Sequence, residues 1–250
     1  MFQNELFIEK ISMKKNPSEY SYINELPVVF HLQNNPIEFH KQISIFVGEN
    51  GVVKSTLVEA IAVAIGLNAE GGSRNFMFET RGTHSKLYKC LSVTKGPYRP
   101  KDSYFLRAES FYNVATNIDD MDSIEANAPP IIWSYGGVSL HNQSHGESFM
   151  SLVENRFRPG GLYILDEPEA ALSPQRVLTL MCHIKRLTDE GAQFIISTHS
   201  PMLLSFPDAD VFEISERGIC KIPYKETEHY RVTKTFLDDP ERMHRMLFDE

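Results

Sequence analysis

Cysteine is scarce: Cys90, Cys182 and Cys220 are three in number, widely spaced and without a CxxC pair. That pattern argues against a disulfide framework or a paired zinc site and fits reduced thiols. Positive charge is also short, with 25 Lys and Arg against 33 Asp and Glu and a net charge of −8. A protein that coats nucleic acid or anionic membrane by bulk attraction needs the opposite balance, although a local basic patch stays compatible with it. Long hydrophobic runs are missing. The longest apolar stretch, near Leu57–Leu67, is interrupted by Glu59 and is too short to cross a bilayer. The start, Met1-Phe2-Gln3-Asn4-Glu5, has neither the basic residues nor the apolar run of a secretory signal, so a cytoplasmic protein without a membrane segment is expected. No internal repeat, low-complexity tract or sustained heptad pattern is present.

What is there suits a folded α/β protein. The 250 residues, 42% hydrophobic and 23% charged, suffice for a sizeable core. Short strands are predicted at Val28–Gln33, Ile37–His40 and Ile43–Val47, the last running into a glycine turn and then a helix from Ser55 to about Leu67. The middle is less regular, with strands predicted at Lys86–Val93 and Tyr104–Arg107. Asn113–Pro130, which carries Asp119, Asp120, Asp122 and Glu125, reads as a solvated loop. Strand–helix alternation returns with Gly160–Leu165, a helix over Pro174–Asp189, and strands at Phe194–Thr198, Val211–Ile214 and Ile219–Ile222. Ligand loops in such a sheet lie at the carboxyl ends of the strands.

Three such ends carry chemistry. The first is Gly48-Glu49-Asn50-Gly51-Val52-Val53-Lys54-Ser55-Thr56, between a strand and a helix. A phosphate loop needs inward backbone N–H groups, a lysine for the outer phosphates and a hydroxyl for magnesium; Lys54 and Ser55 have those types at that spacing, and Thr56 could add a phosphate contact. The helix that follows presents its positive end to the phosphates. The second is Leu162-Tyr163-Ile164-Leu165-Asp166-Glu167, an apolar strand ending in two carboxylates. Desolvating such a pair is costly unless a cation or hydrogen bonds compensate. Asp166 suits the magnesium shell, and Glu167 suits a general base toward water. The third is Phe194-Ile195-Ile196-Ser197-Thr198-His199-Ser200-Pro201, where His199 can reach a terminal phosphate.

In this order the three elements resemble the ABC ATPase superfamily, particularly its soluble SMC-, RecF- and MutS-like branch. The resemblance implies a P-loop ABC-type head, an α/β fold with a mixed sheet, flanking helices, a small antiparallel β part and a short helical lobe. It implies one domain over 1–250, with a nucleotide-binding lobe at about 1–67 and 160–250 and a signature-bearing lobe at about 68–159. Gln143-Ser144-His145-Gly146-Glu147 is similar to the family's Leu-Ser-Gly-Gly-Gln/Glu signature, with His145 in place of the first glycine. In that family the signature meets the nucleotide held by a second copy, so Ser144, His145, Gly146 and Glu147 are expected to act in trans in an ATP-dependent homodimer. Glu169-Ala170-Ala171-Leu172-Ser173 looks like the D-loop at that interface. Arg107-Ala108-Glu109-Ser110 lies in the interval of the Q-loop but has no glutamine, and Tyr20 and Tyr22 are the adenine-stacking candidates. No heptads separate Lys54 from Ser144, so any mechanical arm would come from a partner. The segment Glu70-Gly71-Gly72-Ser73-Arg74-Asn75-Phe76 together with Ser144–Ser148 looks like a group of stand-alone bacterial ATPases.

One position departs from the pattern: Val53 stands where the family has glycine before the lysine. A β-branched residue disfavours positive φ, and a strained position of this kind costs about 1–3 kcal/mol. An attenuated ATPase, an altered sequence and a loop that tolerates valine by shifting all fit. The functional expectation is Mg-ATP hydrolysis driving a partner, with DNA or a nuclease-like effector as candidates in repair or phage defence. The alternatives are a nucleotide-binding switch or scaffold with little hydrolysis, and the ATPase subunit of a transporter.

Overall fold

The computed structural model describes residues 6–14, 23, 26–49, 53–73, 85–123 and 129–248. In chain order the first elements are β1 (Ile8–Met13), α1 (Pro27–Asn34), β2 (Ile37–Glu38), β3 (Ile43–Gly48), α2 (Lys54–Ala64) and β4 (Gly72–Ser73). The middle contributes α3 (Leu87–Cys90), β5 (Leu91–Lys95), β6 (Ser103–Arg107), α4 (Phe111–Asp122) and α5 (His145–Arg156). Then come β7 (Leu162–Asp166), α6 (Pro174–Asp189), β8 (Gln193–Ser197), α7 (Pro201–Leu204), β9 (Ala209–Ser215), β10 (Gly218–Lys221), α8 (Glu228–Asp238) and α9 (Pro240–Phe248).

Seven strands form one mixed sheet in the order β10-β9-β3-β8-β7-β6-β4. The five central strands are mutually parallel, and the edges β10 and β4 are antiparallel to their neighbours. Three more strands, β2-β1-β5, form a small antiparallel sheet. The fold is therefore the α/β arrangement that the sequence led us to expect. Strands β4 and β6, from the stretch 68–159, belong to the central sheet.

Both faces of that sheet are buried, which explains why its strands read as continuous apolar runs. Side chains alternate between two cores. Phe46, Phe105, Ile164 and Ile195 pack on one side with α1, α2 and the small sheet. Ile45, Val47, Tyr104, Leu106, Tyr163, Leu165, Phe194 and Ile196 pack on the other with α4, α5 and α6. The parallel register aligns Phe46 with Ser197 and Ser197 with Asp166, so the polar residues after β3, β7 and β8 emerge along one edge. Within 174–189, Val177, Leu180, Ile184 and Leu187 form the buried stripe that a helix of 3.6 residues per turn lays on a sheet.

Three local readings are corrected. Residues 28–33 form α1, not a strand: Val28, Val29 and Leu32 are buried while Phe30 is exposed, a helical spacing that follows a proline in the first turn. Within 86–93 a helical turn, Leu87–Cys90, precedes the strand, which begins only at Leu91. The acidic stretch is largely α4, because Phe111, Val114, Ala115 and Ile118 bury one helical face. Asp122 caps neighbouring backbone, accepting from the N–H groups of Ile131 (2.6 Å) and Ile132 (2.8 Å), and Asp119 accepts from the Ser139 hydroxyl at 2.7 Å. Glu125 lies outside the described residues.

Candidate functional site

Lys54 opens α2, the next helix after β3, and is almost wholly buried, at 4% exposure. Its Nζ lies 3.3 Å from Glu167 Oε1 and also contacts His199 Nε2. His199 Nε2 is in turn 3.3 Å from the same carboxylate oxygen. Burial pushes the Lys54 ammonium below its ordinary basicity, while Glu167, Asp166 and Glu169 pull it back. Three groups from three strand ends thus converge. Ser55 and Thr56 follow in the first turn of α2, each half-buried, and Gly48 and Glu49 lie at the end of β3. Asn50, Gly51 and Val52 lie outside the described residues, as do Tyr20 and Tyr22.

Val53 has φ 67° and ψ 19°, in the left-handed region. The backbone takes the conformation that glycine adopts freely and valine adopts at a cost. Its side chain packs half-buried against the core under α2. Glu167 is likewise left-handed, at φ 50° and ψ 51°, where the chain turns from β7 into a short 3-10 segment over Pro168–Ala171. Strained backbone of this kind gathers at functional sites and persists because its surroundings hold it.

Asp166 is the buried member of the acidic pair, its side chain 4% exposed against 38% for that of Glu167. Desolvation raises its pKa, opposed by hydrogen bonds from Ser197 and Ser55 and by the charge of Arg107. Arg107, at the end of β6, places Nε 3.3 Å from Asp166 Oδ2, yet that N–H makes no hydrogen bond; Nη1 is held by Glu59 Oε2 at 2.7 Å. A buried carboxylate beside a serine hydroxyl is the oxygen donor set that magnesium takes in phosphate loops, where phosphate and water complete the octahedron. Among the described residues no cluster of three His, Cys, Asp or Glu could hold a metal by itself. The residues present therefore fit a magnesium ion that arrives with a nucleotide, held by Asp166 and Ser55.

Two further side chains steady His199. Glu169 Oε1 accepts from the backbone N–H groups of His199 (2.6 Å) and Ser200 (3.1 Å) and so holds the chain just beyond β8. His229, in the first turn of α8, brings Nε2 to 2.8 Å from His199 Nδ1. Sequence reasoning left Arg107 without a role and missed His229 altogether. No spacing rule links positions 199 and 229; the only local sign is Thr227, the helix cap that sets His229 in place.

The signature-like residues lie apart. Ser144 caps α5, and Glu147 Oε2 accepts from its backbone N–H at 3.0 Å and from its hydroxyl at 2.5 Å, a capping box. Gly146 sits so close to the Ala171 carbonyl and Arg176 that a Cβ there would lie 3.1 Å from the former and collide with the latter. His145 packs against the rings of Phe111 and Tyr112. Among the described residues, none of these four shares a hydrogen bond or ion pair with Lys54, Asp166, Glu167 or His199. A cleft of about 1050 Å³ opens beside Gly48 and Glu49, but Lys54, Asp166 and Glu167 do not line it. Its walls carry Glu49, Glu213, Glu216, Glu226 and Glu228 against Arg217 and Arg231, a charge balance poorly suited to a triphosphate.

Comparison with known proteins bears on this geometry. A family model described as "AAA domain, putative AbiEii toxin, Type IV TA system" matches residues 155–205, a span that contains Asp166, Glu167 and His199. No curated protein matches the chain. Among solved structures, cbiO1 from Clostridium perfringens, part of the ABC transporter complex cbiONQ, aligns with a TM-score of 0.50 over 98% of this chain and 100% of that one, at 15% identity. An ATP-binding cassette of an ABC transporter aligns with a TM-score of 0.50 over 96% and 98%, at 14% identity. The chain has the fold of a P-loop ABC-type ATPase. Among the described residues of this ABC-type fold, no helix is long and apolar enough to cross a membrane.

Proposed function

We propose that the protein binds Mg-ATP at Lys54 and hydrolyses it with Glu167 as general base. The observation that carries this reading is the convergence of Lys54, Glu167 and His199 beside the buried Asp166. Lys54 and the N-terminus of α2 hold the phosphates, and Ser55 and Asp166 would hold magnesium, which would supply positive charge against that building on the phosphate oxygens. Water attacks the terminal phosphorus, the bond from that phosphorus to the bridging oxygen breaks, and the water's proton passes to the Glu167 carboxylate. His199 donates to the terminal phosphate. The Ser144–Glu147 stretch, with Ser144 and Glu147 exposed, completes the site of a second copy, giving an ATP-dependent head-to-tail homodimer of single-domain heads. Its work falls on a partner such as DNA or an effector nuclease, and the toxin-system description of the matching family model is in keeping with a defence role.

A second reading, a nucleotide switch with little turnover, draws on Val53 at φ 67°. Glu167→Gln separates the two, because the amide keeps the shape and cannot accept the proton. Under the main reading the parent releases phosphate, while the variant binds ATP as tightly and loses turnover by about 10²–10⁴-fold. Phosphate release that is equal in parent and variant would refute the assignment of Glu167.

A further inference from the structure

We propose that His229 is a positioning residue for His199, and that the hydrogen bond between them reverses direction when a phosphate enters the site. The inference rests on the nucleotide reading above. His229 is set in place from its own element: Thr227 is buried, its hydroxyl donates to the Tyr224 carbonyl at 2.6 Å, and its Oγ1 accepts the Tyr230 N–H at 3.3 Å. That anchor fixes His229 as the second residue of α8, aimed at the strand ends. The two rings are 4.9 Å apart and inclined by 43°, and the 2.8 Å nitrogen separation is that of an N–H···N bond.

The proton count does the rest. Burial lowers the basicity of His229 and the Lys54 ammonium lowers it further, as does the positive end of α8, while Glu228 and Glu49 raise it. A neutral imidazole has one N–H and one acceptor nitrogen. A lysine ammonium only donates, and Lys54 lies nearer to His199 Nε2 than Glu167 does. His199 Nε2 therefore accepts, Nδ1–H donates to His229 Nε2, and His229 carries its own proton on Nδ1. A phosphate oxygen only accepts. To hold one, His199 must carry its proton on Nε2, which makes Nδ1 an acceptor and requires His229 Nε2 to donate. Each ring keeps one proton throughout, so exchange through water suffices and no net proton is gained. A group able only to accept, or only to donate, could not serve both states.

Nitrogen-15 spectra of histidine-labelled protein read these tautomers directly, first nucleotide-free and then with magnesium and a non-hydrolysable ATP analogue. The expected result is a proton on Nδ1 of both His199 and His229 in the free protein and on Nε2 of both with the analogue. His199 protonated on Nε2 in both states, or His229 unchanged by the analogue, overturns the proposal. Calorimetry on the same samples isolates the parent reading: if the analogue fails to bind, the nucleotide assignment fails, and the free-state tautomers still decide whether the pair exists. Turnover supplies a second test. His229→Phe should lower kcat by roughly tenfold with KM little changed, and His229→Gln, whose amide can donate or accept, should restore it. Equal losses in the two variants would mark a packing role and overturn the proposal.

Discussion

At the strand ends Lys54 and Asp166 are buried and held by Glu167, His199, Ser197 and Arg107, whereas at the turn before α5 Ser144 and Glu147 are exposed and satisfy one another. Buried charges without partners are costly, so the first region exists only as a network. The second is compatible with water, and its hydrogen bonds would serve any helix start. Its residue types are thus not dictated by the chain's own core, except at Gly146, where a Cβ would lie a tight 3.1 Å from the Ala171 carbonyl, and at His145, which packs on Phe111. The difference teaches that burial ties the first region's charged groups to one another, while the second keeps Ser144 and Glu147 in reach of solvent.

Substitutions can break that contrast. The largest effect is expected for Lys54→Ala, which removes the cation facing the phosphates and should weaken ATP binding by more than about a hundredfold in calorimetry. Val53→Gly comes next. Relief of the left-handed valine should tighten binding by about 1–3 kcal/mol, provided that flexibility in the free loop does not offset it. Identical dissociation constants would mean that the loop has adapted to valine. Ser144→Arg should change the ATP affinity of the isolated head by less than about twofold, since it touches no group at the strand ends. In a Glu167→Gln background it should abolish the ATP-dependent dimer seen by sedimentation. The smallest effect is on stability. Burial raises the Asp166 pKa above its unfolded value, so its ionisation opposes folding as pH rises through and above the ordinary carboxylate range. Asp166→Asn should then raise the thermal midpoint at neutral pH, while turnover is lost.

The same contrast governs what the sequence disclosed. Lys54, Asp166, Glu167 and His199 were legible because each ends an apolar strand or opens a helix, where a charged residue breaks a strong pattern. The parallel core followed from those runs, and α6 from its clean helical stripe. The 28–33 segment misled because adjacent valines suit a strand by composition while tertiary packing selects the helical face of Val28, Val29 and Leu32. Asp119 and Asp122 suggested a solvated loop because their capping partners, Ser139, Ile131 and Ile132, are reached only after the chain turns back. Arg107 and His229 were hidden for a related reason. Arg107 meets Asp166 through strand pairing and His229 meets His199 through the docking of α8, contacts that no local spacing encodes.

Complementation tests most directly whether two regions of one chain form a single site across two copies. Lys54→Ala leaves an intact signature turn and Ser144→Arg leaves an intact phosphate loop, so each should be inactive alone. Mixed in equal amounts, they should form heterodimers with one whole site each and regain up to about half of parental phosphate release, since neither chain dimerises with its own kind. A mixture as inactive as either chain alone, with heterodimers present by sedimentation, would contradict the account.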